Sequence, residues 1–101
     1  MSVVTAYWYV APSPIAGHGV FPTASIGRGT TIGLAHWYDG RQWRATRLGS
    51  LHNHSLTPNA ESVRVGNQRF LVAARDIFPG EEITVDYRLQ PELEQPQPGW
   101  R

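Results

Sequence analysis

Three stretches of this chain carry residues able to do chemistry. The first is the run Leu51-His52-Asn53-His54-Ser55-Leu56-Thr57-Pro58-Asn59-Ala60. Pro58 breaks both helix and strand, and Asn53, Ser55, Thr57 and Asn59 compete for backbone hydrogen bonds. The run still keeps Leu51 and Leu56, which are expected to face the core. A polar, turn-rich segment that sits partly inside a protein is a candidate binding site, and the amide of Asn53 suits a ligand's amino or carboxylate group. The second stretch is Gly17-His18-Gly19, where the missing Cβ atoms let backbone approach a ligand closely. The third ends in Asp86-Tyr87, with Tyr87 expected on the same strand face as Ile83 and Val85. A phenol titrates near pH ~10, so Tyr87 would act as a neutral, oriented polar group. Glu81 and Glu82 read as a solvated turn pair and as hydrogen-bond partners, not as bases. His52 and His54 form an H-x-H pair, but two imidazoles without carboxylate or cysteine support make a poor site, so no metal is expected.

The elements that must position these residues are short. Val3 to Val10 reads as a strand ended by Ala11-Pro12-Ser13-Pro14, and Thr31 to Leu34 as another. Asp39-Gly40 is a hairpin signal inside the poorly patterned stretch from Ala35 to Ser50. Ala60–Val65 and Arg69–Ala74 form an expected hairpin across Gly66-Asn67-Gln68. Glu82 to Leu89 alternates as a strand. Ten glycines and eight prolines in 101 residues favour many short strands joined by turns, and no window supports a long amphipathic helix. The expected class is mostly β. The length suits one domain, here residues 1–90, followed by a proline-rich tail over residues 91–101.

Composition excludes several function classes. With 41% hydrophobic and 17% charged residues the chain reads as globular, not disordered. Its net charge of +1 gives no electrostatic footprint for direct nucleic-acid binding. No apolar run approaches a membrane span of ~20 residues. There is no cysteine, so disulfides and thiolate zinc sites are absent. The default compartment is the cytoplasm, or a host cytoplasm or nucleus for a viral protein.

Taken in order, Gly17-His18-Gly19-Val20-Phe21, then Asn53-His54-Ser55 with Pro58-Asn59, then Arg75-Asp76-Ile77 with Gly80-Glu81-Glu82-Ile83 and Asp86-Tyr87, resemble a SET domain, the fold of one large class of protein lysine methyltransferases. The resemblance spans roughly residues 13 to 88. Leu48-Gly49-Ser50-Leu51 is similar to the compact SET proteins of bacteria, phages and large viruses. The resemblance implies a β-clip-like fold of several short curved sheets, with the N-H-S segment threaded beneath the C-terminal stretch in a knot-like core. It implies S-adenosylmethionine as cofactor. The main chain of Gly17, His18 and Gly19 would meet its methionine part, Asn53 its polar end, and His54 its adenine. Tyr87 would be the catalytic residue, and the partner a protein or peptide carrying the acceptor lysine.

Departures from the family pattern matter. The cysteine-rich closing segment of many SET enzymes is absent, so Trp100 is a candidate to cap the cofactor, or a homodimer partner would cover the gap. Val85 stands where some relatives carry a Phe or Tyr controlling product multiplicity. Tyr7, Tyr9, Trp37 and Tyr38 are candidates for an aromatic lysine channel. All nine basic residues are arginine, so no side chain of the chain could accept its own methyl group. The rival to an enzyme is a SET-fold module that has lost activity and binds a peptide or protein partner.

Overall fold

Turn residues cut the chain into strands too short for one continuous sheet. The computed structural model describes residues 7–89. Strands β1 (Trp8–Pro12) and β2 (His18–Pro22) form an antiparallel pair. A four-stranded sheet takes β3 (Thr31–Tyr38), β4 (Trp43–Ala45), β6 (Ala60–Val65) and β7 (Gln68–Ala73) in the order β4-β3-β7-β6. Helix α1 (Arg47–Leu51) and strand β5 (Asn53–His54) lie between β4 and β6 in the chain. The last strand, β8 (Thr84–Val85), pairs in parallel with β5 and leads into a 3₁₀ turn over Tyr87–Leu89. The class is mostly β, in several small sheets, as the sequence implied.

Both expected hairpins form. β6 and β7 join through Gly66-Asn67, with Val65 opposite Gln68. Gly66 has φ 61 and Asn67 does not share the positive value, the pattern of a turn that matches strand twist and needs glycine first. β3 and β4 close with Tyr38 opposite Trp43. β3 is longer than expected, because its second half pairs on both sides, with β4 and with β7.

The core is the side where these sheets meet. Val20, Ile26, Ile32, Ala35, Leu48, Leu71, Ile77, Ile83 and Val85 are buried together. Ile26 and Ile77 exchange two backbone hydrogen bonds of 2.8 Å, which ties two loops across this cluster. Among the described residues, no helix is long and apolar enough to cross a membrane.

Helix α1 is a single turn pressed onto β3. Thr46 caps it, accepting from the Gly49 N–H at 3.2 Å while its hydroxyl donates to the Leu34 carbonyl at 2.6 Å. Leu48 enters the core. Gly49 lies so close to β3 that a Cβ there would overlap the Ala35 carbonyl. Replacing glycine by alanine in a helix ordinarily stabilises by ~1 kcal/mol. Here the backbone clash should reverse the sign, at ~1–3 kcal/mol of destabilisation. Gly49→Ala is therefore expected to melt lower than wild type by thermal denaturation, while Ser50→Ala on the exposed side of α1 stays within ~0.5 kcal/mol. Equal melting of both variants would contradict the tight α1–β3 contact.

Candidate functional site

The site is built around the parallel β5–β8 pair. Asn53 stands opposite Thr84 and His54 opposite Val85, and the Ser55 N–H donates to the Val85 carbonyl at 3.0 Å. Two residues of parallel ladder cannot hold themselves together. Asn59 supplies what is missing. Its Oδ1 accepts from the Thr84 N–H at 3.0 Å and its Nδ2 donates to the Glu82 carbonyl at 2.8 Å, and the residue is only 3% exposed. Asn59 thus does for the 82–84 backbone what a third strand would do.

Tyr87 is fixed by the same pairing. Its hydroxyl donates to the His52 carbonyl at 2.5 Å and its N–H donates to His54 Nδ1 at 3.0 Å. The ring lies against two imidazoles, with centroids 5.4 Å from His52 and 5.2 Å from His54. Since His54 Nδ1 accepts a hydrogen bond, its 3.9 Å approach to Asp86 is proximity, not a bond. Asp86 is held by Arg88, whose guanidinium keeps the Asp86 carboxyl below its usual range. The same carboxylate accepts from the Arg88 N–H at 3.0 Å, an Asx turn that pulls the chain into its 3₁₀ turn.

The Asn53 side chain of β5 meets the Gly17-His18-Gly19 turn. Asn53 Nδ2 faces four acceptors: Glu82 Oε2 at 2.6 Å, Ser13 Oγ at 3.2 Å, and the Ala16 and His18 carbonyls at 3.3 Å each. This surrounds the amide nitrogen with oxygens, so the flip is settled by chemistry. Oδ1 is the group left for a ligand, which selects a donor. Ser13 also donates to Glu82 Oε1 at 2.5 Å and accepts from the Ile15 N–H at 3.0 Å. Gly17 has φ 44 and open space where a Cβ would be, as a backbone approached by a ligand requires. Gly19 differs: a Cβ there would overlap the Glu82 carboxylate, so its glycine makes room for a side chain of the protein itself.

Several expectations need correction. Leu56 does not face the core but is 57% exposed, because the Thr57 N–H bonds to Ser55 Oγ at 3.0 Å and turns the chain outward there. Leu51 does pack against the core. Glu82 to Leu89 is not one alternating strand: only Thr84–Val85 is β, and Tyr87 enters the site from the 3₁₀ turn. Glu81 fits the turn role, paired with Arg75 at 3.1 Å and bonded to the Phe78 N–H, but Glu82 does not. Tyr7, Tyr9 and Trp37 are exposed, and Trp37 and Tyr38 line an open groove of about 440 Å³ with Leu34, Asn67 and Gln68, a groove that neither Tyr87 nor Asn53 lines. Trp100 lies outside the described residues. The sequence reading missed Ser13, Asn59 and Glu82 as site residues and His52 as a partner of Tyr87. Asn59 and Glu82 stood inside the motifs already; nothing local marked Ser13.

His52 is buried, and its ring Nδ1 lies 2.9 Å from the Leu48 carbonyl. A carbonyl can only accept, so Nδ1 carries the proton, and Nε2 has no partner among the described residues. Burial pushes the His52 imidazole below its usual value, against a weaker opposing pull from backbone at Leu48 and Gly49. The unfolded chain takes up this proton near pH ~6.5, the folded chain only lower. Stability from neutral His52 is therefore complete above that value and lost as pH falls below it, with a limiting slope of ~1.4 kcal/mol per pH unit for one proton. Thermal melts from pH 7.5 to 5.0 should show this loss in wild type and a shallower one in His52→Leu; equal slopes would remove His52 as the source.

Among the described residues, no three His, Asp or Glu side chains group as a metal site. A search of curated protein sequences found no match. Similar solved structures include a Plasmodium falciparum protein described as a histone methyltransferase and the methyltransferase domain of human PR domain-containing protein 2. The first has a TM-score of 0.68 at 22% identity, covering 83% of this chain and 95% of that one. The second has a TM-score of 0.64 at 15% identity, covering 81% and 77%. At such identities the likeness establishes the fold. The family profile described as the SET domain matches residues 34–88, from β3 through Tyr87 and over half of the chain, and with the parallel β5–β8 pair in place the chain belongs to the SET domain family.

Proposed function

We propose that this chain is a methyltransferase that uses S-adenosylmethionine and acts on a lysine ε-amine of a protein. One observation carries the reading. The β5–β8 pair brings the Tyr87 phenol onto the His52 carbonyl, next in the chain to Asn53, and both the phenol and the Asn53 amide are locked by short hydrogen bonds. The residues fit the cofactor: Gly17 offers open backbone, and Asn53 offers an acceptor for an ammonium. When bound, S-adenosylmethionine would supply an electrophilic methyl group on a sulfonium sulfur.

Tyr87 then orients the acceptor amine. Its proton is committed to the His52 carbonyl, so it meets an amine as an acceptor and not as an acid. It is held between two imidazole rings, which limits its motion. Neither Asp86 nor Glu81 is free to act as a base, since each is paired with an arginine. None is needed where the lysine is desolvated, because burial favours its neutral form over the charged form with reference pKa ~10.4. Alignment of the reacting groups is then the main source of rate.

Calorimetric titration with S-adenosylmethionine, followed by incubation of labelled cofactor with a lysate, tests this. Tyr87→Phe is expected to lose ~10²-fold or more in transfer while holding the cofactor within about threefold. Asn53→Ala is expected to weaken cofactor binding ~10-fold or more, as loss of a charged hydrogen bond does. Binding without any labelled protein in wild type would favour the peptide-binding module instead. Equal binding losses in the two variants would undo the assignment of roles.

A further inference from the structure

Glu82 differs from the other half-buried or buried carboxylates of the site in its partners. Among the described residues, Asp39, Glu81 and Asp86 each have an arginine within 3.1 Å. Glu82 has none. Its carboxylate is half-buried and is met only by neutral donors, Ser13 Oγ on Oε1 and Asn53 Nδ2 on Oε2. A half-buried carboxylate with no cationic partner gains from any cation that reaches it. The protein has also made room for it, since the carboxylate fills the space that a Cβ on Gly19 would need.

The geometry points to Glu82 as the residue that makes the cofactor site selective for a ligand with a cationic amine. This inference rests on the S-adenosylmethionine reading above. Glu82 acts in two ways. It anchors the nitrogen of Asn53, so the amide presents Oδ1, which accepts from an ammonium and cannot donate to a carboxylate. It also places a negative charge beside that acceptor, which attracts an ammonium and repels a carboxylate. The α-ammonium of the cofactor's methionine part is the group of matching chemistry. On this view Glu82 positions Asn53 and sets specificity without taking part in methyl transfer.

The test is a ratio of affinities, read by calorimetry without turnover. S-adenosylhomocysteine and its analogue lacking the α-amino group are titrated into wild type and Glu82→Gln. Wild type is expected to prefer the amine-bearing ligand by at least 10-fold. Glu82→Gln is expected to reduce that preference to threefold or less while changing the affinity for the des-amino analogue by less than twofold. An unchanged preference, or an equal loss for both ligands, overturns the proposal. Failure of wild type to bind either ligand would instead sink the underlying cofactor reading, and the two failures are thereby distinct. Should Glu82→Gln not fold, the same ratio is measured in Ser13→Ala. Loss of the donor on Oε1 should lower it at least threefold, and an unchanged ratio there also overturns the proposal.

Discussion

The structure depends on a strand pairing too short to exist alone. β5 and β8 are each two residues long, run in parallel, and come from positions about thirty residues apart. Asn59 makes the pairing possible by bonding the backbone of Glu82 and Thr84 with both ends of its amide. With that register set, the rest follows from chain geometry. Glu82 lies two residues before Thr84 and reaches Asn53. Tyr87 lies three residues after it and reaches the His52 carbonyl. One buried asparagine therefore places a carboxylate against the Asn53 side chain and a phenol against the preceding His52 carbonyl. Removing its side chain would leave two backbone groups without partners, a loss of ~1–3 kcal/mol for each one that is buried.

What could be read from residues alone divides along sequence distance. Both hairpins were legible, because Gly66-Asn67 and Asp39-Gly40 carry their turn chemistry locally and β6 and β7 are neighbours in the chain. The mostly β class was legible from turn density. The site's composition was legible only through the order of its motifs. Its geometry was not, because a parallel pair of two-residue strands leaves no alternation to detect. The Glu82 to Leu89 run shows the failure plainly. Its apolar residues alternate, yet Asp86 turns the chain within that run and the pattern continues across a change of structure. Leu56 fails for a related reason: hydrophobicity marked it for the core, and the Ser55 turn sent it to solvent.

Gly19 has a reason to be glycine that comes from the protein itself. Both glycines of Gly17-His18-Gly19 were expected to admit a ligand. Gly17 has open space beside its α-carbon. Gly19 admits Glu82, and Glu82 in turn accepts from the Asn53 amide nitrogen. The three sequence motifs are thus one hydrogen-bonded unit, and a change in one is felt as a rotation of a side chain in another. Ser13, which belongs to none of them, ties the unit to the loop between β1 and β2 through four hydrogen bonds.

The surroundings of Tyr87 and of Asn53 also differ in how they handle charge. Around Tyr87 the protein avoids it. His52 is kept neutral by burial, His54 Nδ1 is occupied as an acceptor, and the Asp86 carboxylate is satisfied by Arg88. On the proposed function, an acceptor amine there would meet aromatic faces and a phenol oxygen, surroundings that favour its uncharged form. Around Asn53 the protein leaves one negative charge without a counterion. A ligand that is cationic at one end and must react at the other would be held by the first and presented to the second. On the proposed function, an ammonium would be held at Glu82, while the acceptor amine would be kept uncharged by the aromatic surroundings of Tyr87.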